Sequence, residues 1–123
     1  MSKGGRILLV DDESDNVTIF SIALRDAGFE VDAFEDPRLA LSAFKPNHYD
    51  LLILDIRMRH MSGDELYQKL REMDDKPKVC ILSAYSSEEW KTRFSTTLNG
   101  IWYIAKPISV DELVAKVNEI IHS

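Results

Sequence analysis

The sequence predicts a doubly wound α/β domain, in which a parallel sheet lies between two layers of helices. Four short runs of apolar residues and one alternating segment are separated by segments whose apolar residues recur at helical spacing. Continuous apolar runs are typical of parallel strands that are buried on both faces. Strict alternation of strand and helix, five times over, gives parallel strands joined by right-handed crossovers.

The predicted strands are of two kinds. Four are continuously apolar, at residues 7–10, 51–54, 79–82 and 101–105. The other, at residues 29–34, alternates acidic with apolar residues, which is the pattern of a half-exposed strand at the edge of a sheet.

A helical segment follows each strand. Gly28 ends the first helix, Asp36 and Pro37 begin the second, and Ser62 and Ser109, each with a glutamate three residues later, begin the third and fifth. The fourth is predicted to begin at residues 86–87. The apolar residues of these helices are Val17, Phe20, Leu24 and Ala27 in the first, Leu39, Ala40, Ala43 and Phe44 in the second, Leu66, Leu70 and Met73 in the third, and Trp90, Phe94 and Leu98 in the fourth. In the fifth helix, Leu113, Val114, Val117, Ile120 and Ile121 are predicted to face inward.

Length and charge predict one globular domain at residues 6–122, after a flexible lead-in at residues 1–5. A formal net charge of -6 argues against nucleic-acid binding, which would require a basic stripe. The lone cysteine, Cys80, predicts a reducing compartment, and no apolar stretch approaches the roughly 20 residues that span a bilayer. We therefore expect a cytoplasmic protein that does not contact membranes.

Polar residues stand where four of the predicted strands end. Asp11 and Asp12 follow the first strand, Asp55 the third, Ser83 the fourth and Lys106 the fifth. In doubly wound sheets the ligand site lies beyond the carboxyl ends of the strands, near the point where strand order reverses. Three carboxylates, a hydroxyl and an ammonium are therefore expected at one crevice, and this set suits a divalent cation and a phosphoryl group.

The acidic residues have a second interpretation. Asp11 and Asp12, with Glu13 and Asp15 nearby, could instead form an acidic cluster that interacts favourably with the dipole at the N-terminus of the first helix. That interpretation does not account for Asp55 on a neighbouring strand. Because like charges at such close range repel one another, clustered carboxylates usually hold a cation, and we favour a metal site.

Asp55 and Lys106 indicate phosphoryl chemistry when they are considered together. Considered alone, Asp55 is typical of a turn. Considered alone, Lys106-Pro107 is typical of a lysine whose side chain extends to solvent at the end of a strand, followed by a proline that begins a helix. Together, the carboxylate can attack phosphorus to form an acyl phosphate, while a divalent cation and Lys106 neutralise charge. Ser83 can donate a hydrogen bond to a phosphoryl oxygen.

These segments, in this order and spacing, resemble the receiver domain of two-component response regulators. The resemblance covers residues 6–121 and rests on LLVDDE at 8–13, LDIRM at 54–58 with Met61 and Gly63, LSA at 82–84 and YIAKP at 103–107. It implies a flavodoxin-like (βα)5 fold with strand order 2-1-3-4-5, as in the stand-alone chemotaxis receivers. It also implies a phosphorylation-dependent signalling switch.

The resemblance implies a role for each site residue. Asp55 would accept a phosphoryl group from the phosphohistidine of a sensor histidine kinase or a phosphotransfer protein. Asp12, Asp55 and the main-chain carbonyl of Arg57 would bind Mg²⁺, for which Mn²⁺ can substitute, and Asp11 would bind it directly or through water. The domain would catalyse only its own phosphotransfer and dephosphorylation, so we do not expect an enzyme with a separate substrate.

The resemblance also implies how the switch would work. Lys106 would pair with the phosphoryl group, its bond to Pro107 would be cis, and Ser83 and Tyr103 would move inward on activation. The fourth helix, fifth strand and fifth helix would form the output face, which a downstream protein, a covalently linked output domain or a second copy in a homodimer would contact. The candidate contact residues near this face, which are alternatively extra core, are Trp90, Ile101 and Trp102.

The loop after Asp55 departs from the family. Arg59 stands where the family usually has proline, and Arg57, Arg59 and His60 make the loop basic beside an acidic pocket. Either these charges simply balance the pocket, or a guanidinium shields the phosphoryl group or contacts the kinase. Tyr85 is bulky where the attacking water would approach, so Arg57 and Tyr85 are together expected to slow hydrolysis of the phosphoaspartate.

Two other functions stay open. A phosphatase of the haloacid dehalogenase kind would have an aspartate two residues after its nucleophile, where this chain has Arg57, and a cap domain for which there is no room. A receiver-like module that binds its partner without phosphorylation would have the same fold, although the full set of site residues argues against it. A free-standing protein and a domain excised from a longer regulator would give the same sequence.

Overall fold

The sheet has five parallel strands in the order β2-β1-β3-β4-β5, which confirms the predicted fold. The computed structural model describes residues 4–84 and 101–123. Its strands are β1 (Arg6–Val10), β2 (Glu30–Phe34), β3 (Leu51–Leu54), β4 (Lys78–Ser83) and β5 (Ile101–Ala105).

The described helices are α1 (Ser14–Asp26), α2 (Pro37–Ala43), α3 (Gly63–Met73) and α4 (Val110–Ile121). The helix predicted from residues 86–87, with Trp90, Phe94 and Leu98, lies outside the described residues, so α4 is the fifth helix of the sequence prediction. None of the described helices is long and apolar enough to cross a membrane.

Each face of the sheet has its own hydrophobic core. Leu8 and Leu52 pack with residues of α2 and α3, whereas Leu9 and Ile53 pack on the other face with residues of α1 and α4. Successive residues of a strand point to opposite faces, so both faces of the central strands require apolar side chains. This is why those strands are continuously apolar in the sequence.

Local signals begin and end the helices as predicted. Asp36 caps α2 and Ser62 caps α3, each by accepting a main-chain N–H, and Ser109 and Glu112 form a reciprocal capping box at α4. Gly28 follows α1 with a φ of 100°, a conformation that glycine adopts without steric cost.

Three of the apolar residues that the sequence assigns to helices are exposed. Leu39 in α2 and Met73 in α3 are 59% and 44% exposed, and Ala27 is exposed just beyond α1. In the seven-residue α2 the buried residues are Pro37 and Ala40, which lie three positions apart on one side of the helix and leave Leu39 on another side. Met73 and Ala27 stand at helix ends, where the chain leaves the core.

The described start of the chain is hydrogen-bonded to the segment that enters β2. Gly4 donates its N–H to the Gly28 carbonyl at 3.3 Å, and the Gly5 carbonyl accepts the N–H of Glu30 at 3.0 Å. Residues 1–3 of the predicted lead-in lie outside the described residues.

Candidate functional site

The strand order brings the predicted polar residues to one edge of the sheet. Asp11, Asp55 and Lys106 directly follow β1, β3 and β5, and Ser83 is the last residue of β4. The N–H of Asp55 donates to the Val10 carbonyl at 3.0 Å, and the N–H of Lys106 donates to the Ser83 carbonyl at 2.9 Å. Hydrogen bonding between strands therefore continues into the site and fixes the main chain there.

Asp11, Asp12 and Asp55 form an acidic cluster. Each offers a carboxylate oxygen, and these oxygens lie within 4.8 Å of one another. Asp11 is 0% exposed and Asp55 is 5% exposed, whereas Asp12 is only partly buried. Mg²⁺ is a hard cation that binds oxygen donors such as carboxylates, so the cluster has the chemistry of a magnesium site.

The ammonium group of Lys106 lies between the acidic residues. Its Nζ is 2.8 Å from Asp11 Oδ2, 3.0 Å from Asp55 Oδ2 and 3.1 Å from Glu13 Oε1. Burial acts to lower the pKa of Lys106, but its hydrogen bond to Asp11 and the charge of Asp55 outweigh that effect and raise the pKa. Lys106 therefore stays charged and offsets part of the buried negative charge.

The environment of Asp55 raises its pKa to about 6. Burial is the main cause, the charge and hydrogen bond of Lys106 oppose it, and the negative charge of Asp11 adds to it. The main-chain N–H of Arg57 also donates to Asp55 Oδ1 at 3.3 Å. With a pKa of about 6, Asp55 is mostly ionised at neutral pH, and the ionised form is the one that can act as a nucleophile.

Asp11 also contacts the residues at which α1 begins. Its Oδ1 accepts the N–H of Glu13 at 3.0 Å, next to the first turn of α1, and its Oδ2 lies 3.4 Å from Asn16 Nδ2. Glu13 and Asn16 are site residues that the sequence did not predict. Their positions one turn into or just before a helix are the only sequence signal for these contacts.

The loop after β3 packs closely against Asp55. The N–H of Gly63 donates to the Ile56 carbonyl at 2.8 Å. A Cβ atom at position 63 would overlap the Asp55 carbonyl oxygen and would lie 2.8 Å from Ile56 Cα. Only glycine fits here without displacing the main chain of Asp55.

Arg59 contacts the acidic cluster through Asp12. Its main-chain N–H donates to Asp12 Oδ2 at 3.2 Å, and its guanidinium Nε is 3.7 Å from the same oxygen. A proline, which the family usually has at this position, has no N–H to donate. The sequence showed the basic charge of the loop but not this contact, because the two residues are 47 positions apart.

Ser83 and Tyr103 are joined by a hydrogen bond. The Tyr103 hydroxyl donates to the Ser83 main-chain carbonyl at 3.2 Å, and the half-buried Tyr103 ring packs on the α2–α3 side of the sheet. Ser83 itself is 0% exposed. The Lys106–Pro107 peptide bond is cis.

The predicted output residues are only partly described. Ile101 and Trp102 of β5 are half-buried and pack on opposite faces of the sheet, Ile101 toward α2 and α3 and Trp102 toward α1 and α4. Trp90 and Tyr85 lie outside the described residues.

Comparison with known families agrees with this geometry. The sequence model of the response regulator receiver domain matches residues 7–118. The chain belongs to the response regulator receiver domain family. Membership is consistent with phosphorylation-dependent signalling, and receiver domains bind Mg²⁺ at an acidic pocket, which here would be the cluster of Asp11, Asp12 and Asp55.

Relatives of this receiver domain include longer regulators. It is 36% identical over 116 residues to the transcriptional regulatory protein PrrA of Mycobacterium tuberculosis, and 32% identical over 113 residues to the regulatory protein AtoC of Escherichia coli. The matches cover 94% and 92% of this chain but only 49% and 24% of those proteins. The chain therefore spans about half the length of PrrA and a quarter of that of AtoC.

Solved structures that are similar to this chain include receiver domains. The receiver domain of the Francisella response regulator 1452 has a TM-score of 0.81 and 27% identity, and the match covers 96% of this chain and 97% of that one. A CheY-like receiver domain protein of Methanospirillum hungatei has a TM-score of 0.84 and 26% identity, covering 95% and 93%.

The charges of the site fit a divalent cation. Among the described residues, the Lys106 ammonium contacts Asp11, Glu13 and Asp55, and the Arg59 guanidinium contacts Asp12. A divalent cation would neutralise further negative charge in this cluster of carboxylates.

Proposed function

We propose that this receiver domain is a phosphorylation-dependent switch in which Asp55 accepts a phosphoryl group in a Mg²⁺-dependent reaction. The donor is the phosphohistidine of a sensor histidine kinase or of a phosphotransfer protein. The observation that carries the proposal is the position of Asp55, which is buried beside Asp11 and Asp12 with the Lys106 ammonium 3.0 Å from its Oδ2.

Asp55 supplies the nucleophile. One of its carboxylate oxygens forms a bond to phosphorus while the bond from phosphorus to the donor imidazole nitrogen breaks, and that nitrogen keeps the electron pair. Lys106 exchanges part of its contact with Asp11 and Asp55 for the oxygens of the arriving phosphoryl group, and so neutralises their charge.

Asp11, Asp12, Asp55 and the main-chain carbonyl of Arg57 are the proposed ligands of Mg²⁺, and Mn²⁺ can take the same place. The ion supplies additional positive charge against the phosphoryl oxygens. Oxygen donors alone form this set, as expected for a hard divalent cation.

Ser83 and Tyr103 are the proposed link from the phosphoryl group to the protein surface. The Ser83 hydroxyl would donate to a phosphoryl oxygen, which requires Ser83 to shift. The hydrogen bond from the Tyr103 hydroxyl to the Ser83 carbonyl couples that shift to β5. Phosphorylation at the site can then change the relative populations of two conformations of the domain.

The proposed output face consists of the predicted fourth helix, β5 and α4. It would contact a downstream protein, a covalently linked output domain or a second copy in a homodimer. The position of β5 at the edge of the sheet and the partial exposure of Ile101 and Trp102 support this choice, and Trp90 is the proposed third contact residue.

All the proposed partners are proteins. The acidic balance of -6 opposes direct binding to nucleic acid, and the lone thiol at Cys80 is compatible with the reducing cytoplasm where we place the domain. The domain would act only on its own phosphoryl group, and we propose no separate substrate.

Intact mass spectrometry after incubation with acetyl phosphate and Mg²⁺ tests this function. We expect one added phosphoryl group on the parent protein, and none when EDTA replaces Mg²⁺. Asp55→Asn should remove the adduct. Asp75→Asn, which removes an exposed carboxylate from the loop before β4, is the matched control and should be phosphorylated like the parent.

The alternative function predicts a different pair of results. A receiver-like module that works without phosphorylation would give no adduct and no change in NMR shifts when beryllofluoride and Mg²⁺ are added. That outcome would reject the proposed phosphorylation and would leave partner binding as the function of the fold.

A further inference from the structure

Arg59 is bound to a carboxylate that the proposed metal site also needs. Its guanidinium Nε lies 3.7 Å from Asp12 Oδ2, and its main-chain N–H donates to the same oxygen at 3.2 Å. Asp12 is one of the three residues whose oxygens cluster within 4.8 Å. The guanidinium and a divalent cation would therefore attract the same carboxylate.

Arg59 and Lys106 contact different sides of the acidic cluster. Lys106 lies on the buried side, within 3.1 Å of Asp11, Asp55 and Glu13. Arg59 lies on the open side, where its own side chain is 80% exposed and the Asp12 side chain is 20% exposed. Of these two, only the Arg59 side chain has room to move into solvent when a cation enters.

The two contacts of Arg59 with Asp12 have different consequences for a cation. The main-chain N–H orients the carboxylate and carries no net charge, so it is compatible with metal binding. The guanidinium carries a full positive charge next to the metal ligand and repels any arriving cation.

We propose that Arg59 is an internal competitor for the magnesium site. Its guanidinium neutralises Asp12 while the site holds no divalent cation, and it must leave Asp12 when Mg²⁺ binds. Arg59 thereby weakens Mg²⁺ binding and raises the Mg²⁺ concentration at which the domain becomes competent for phosphorylation. This inference rests on the proposed function, because it requires Asp12 to be a magnesium ligand.

The size of the effect follows from exposure. A guanidinium that is mostly in solvent interacts with nearby charge through a high dielectric, and salt screens the interaction further. Removing the charge of Arg59 should therefore tighten Mg²⁺ binding by about twofold to fivefold at low salt, and by less at high salt.

Isothermal titration calorimetry with MgCl₂ measures this affinity without any phosphorylation step. Arg59→Gln removes the charge and keeps the main-chain N–H, so it should bind Mg²⁺ more tightly than the parent. Arg59→Lys keeps the charge and should bind within about twofold of the parent. Lys45→Gln removes the same charge from an exposed position just after α2 and should match the parent.

The outcomes separate this inference from the proposed function. If the parent and Arg59→Gln bind Mg²⁺ with equal affinity, the magnesium site stands and the role of Arg59 is wrong. If neither binds Mg²⁺, both are wrong. If Arg59→Lys binds as tightly as Arg59→Gln, the charge of Arg59 is not the cause and competition is rejected.

Discussion

Asp55→Asn is expected to stabilise the domain at neutral pH in the absence of divalent cations. Burial raises the pKa of Asp55 from its ordinary value of 3.8 to about 6. A carboxyl group whose pKa is raised by folding contributes stability that is fully present below the lower pKa and is lost as the pH rises through the higher one. At neutral pH the ionised Asp55 is therefore a cost to the folded state.

The size of that cost follows from the two pKa values. The gap between 3.8 and about 6 corresponds to about 3 kcal/mol of unfolding free energy once the pH exceeds the higher value. Asparagine has nearly the shape of the protonated aspartic acid and no charge. The variant should therefore match the parent at about pH 4 and exceed it by about 3 kcal/mol above about pH 7.

Urea unfolding in EDTA, followed by circular dichroism across this pH range, measures the difference. Other carboxylates titrate in both proteins, so their contributions cancel when the variant is compared with the parent. Asp75→Asn, at an exposed position, should stay within about 0.5 kcal/mol of the parent throughout. Saturating Mg²⁺ should narrow the gap, because a ligand that binds only the folded parent stabilises it.

Two results would refute this reasoning. One is an Asp55→Asn protein no more stable than the parent at neutral pH in EDTA. The other is a stability gap that does not shrink on acidification toward about pH 4, since titration of the buried carboxyl is then not its cause.

Three further substitutions test separate parts of the structure. Lys106→Met removes the buried ammonium between Asp11 and Asp55. The free energy of unfolding of the metal-free domain, measured in urea at neutral pH, should therefore fall by about 3–5 kcal/mol. Addition of Mg²⁺ should restore part of this stability. Gly63→Ala places a Cβ against the Asp55 carbonyl, and urea unfolding should show a free energy of unfolding lower by about 1–3 kcal/mol. Intact mass spectrometry should show slower phosphorylation by acetyl phosphate. Ser109→Ala breaks the capping box of α4 and should cost about 1 kcal/mol in the same unfolding assay, with phosphorylation unchanged.

For each substitution, one result would contradict the structural reason for the prediction. A Lys106→Met domain as stable as the parent in EDTA would mean that the acidic cluster does not need the ammonium. Normal stability and phosphorylation of Gly63→Ala would mean that the loop is not packed against Asp55. For α4, Ser109→Thr is the control, because threonine can also cap, and a loss equal to that of Ser109→Ala would argue against capping.

The sequence could predict the elements and their order because those depend on local chemistry. Continuous apolar runs indicate strands that are buried on both faces. Asp36, Ser62 and Ser109 indicate where helices begin, because each accepts a hydrogen bond from the first turn of its own helix. The sequence does not predict that Leu39 and Met73 are exposed, because the side of a helix that faces the core depends on the neighbouring elements.

The position of the site at one sheet edge could be predicted, but its internal pairing could not. Parallel strands bring their carboxyl ends together, so Asp11, Asp55 and Lys106 had to lie near one another. The tertiary structure decides which oxygens the Lys106 ammonium contacts and whether Glu13 is among its partners, because these contacts depend on how the start of α1 lies beside the loop after β5.

By itself, the sequence determined the fold, the identity of the polar residues at the strand ends and the basic character of the loop after β3. Only the tertiary structure decided that Asp55 is buried enough to raise its pKa, that Gly63 leaves no room for a side chain and that Arg59 contacts Asp12. These are contacts between residues far apart in the chain or consequences of burial. Periodicity and spacing report the neighbours of a residue along the chain, whereas charge and packing depend on its neighbours in space.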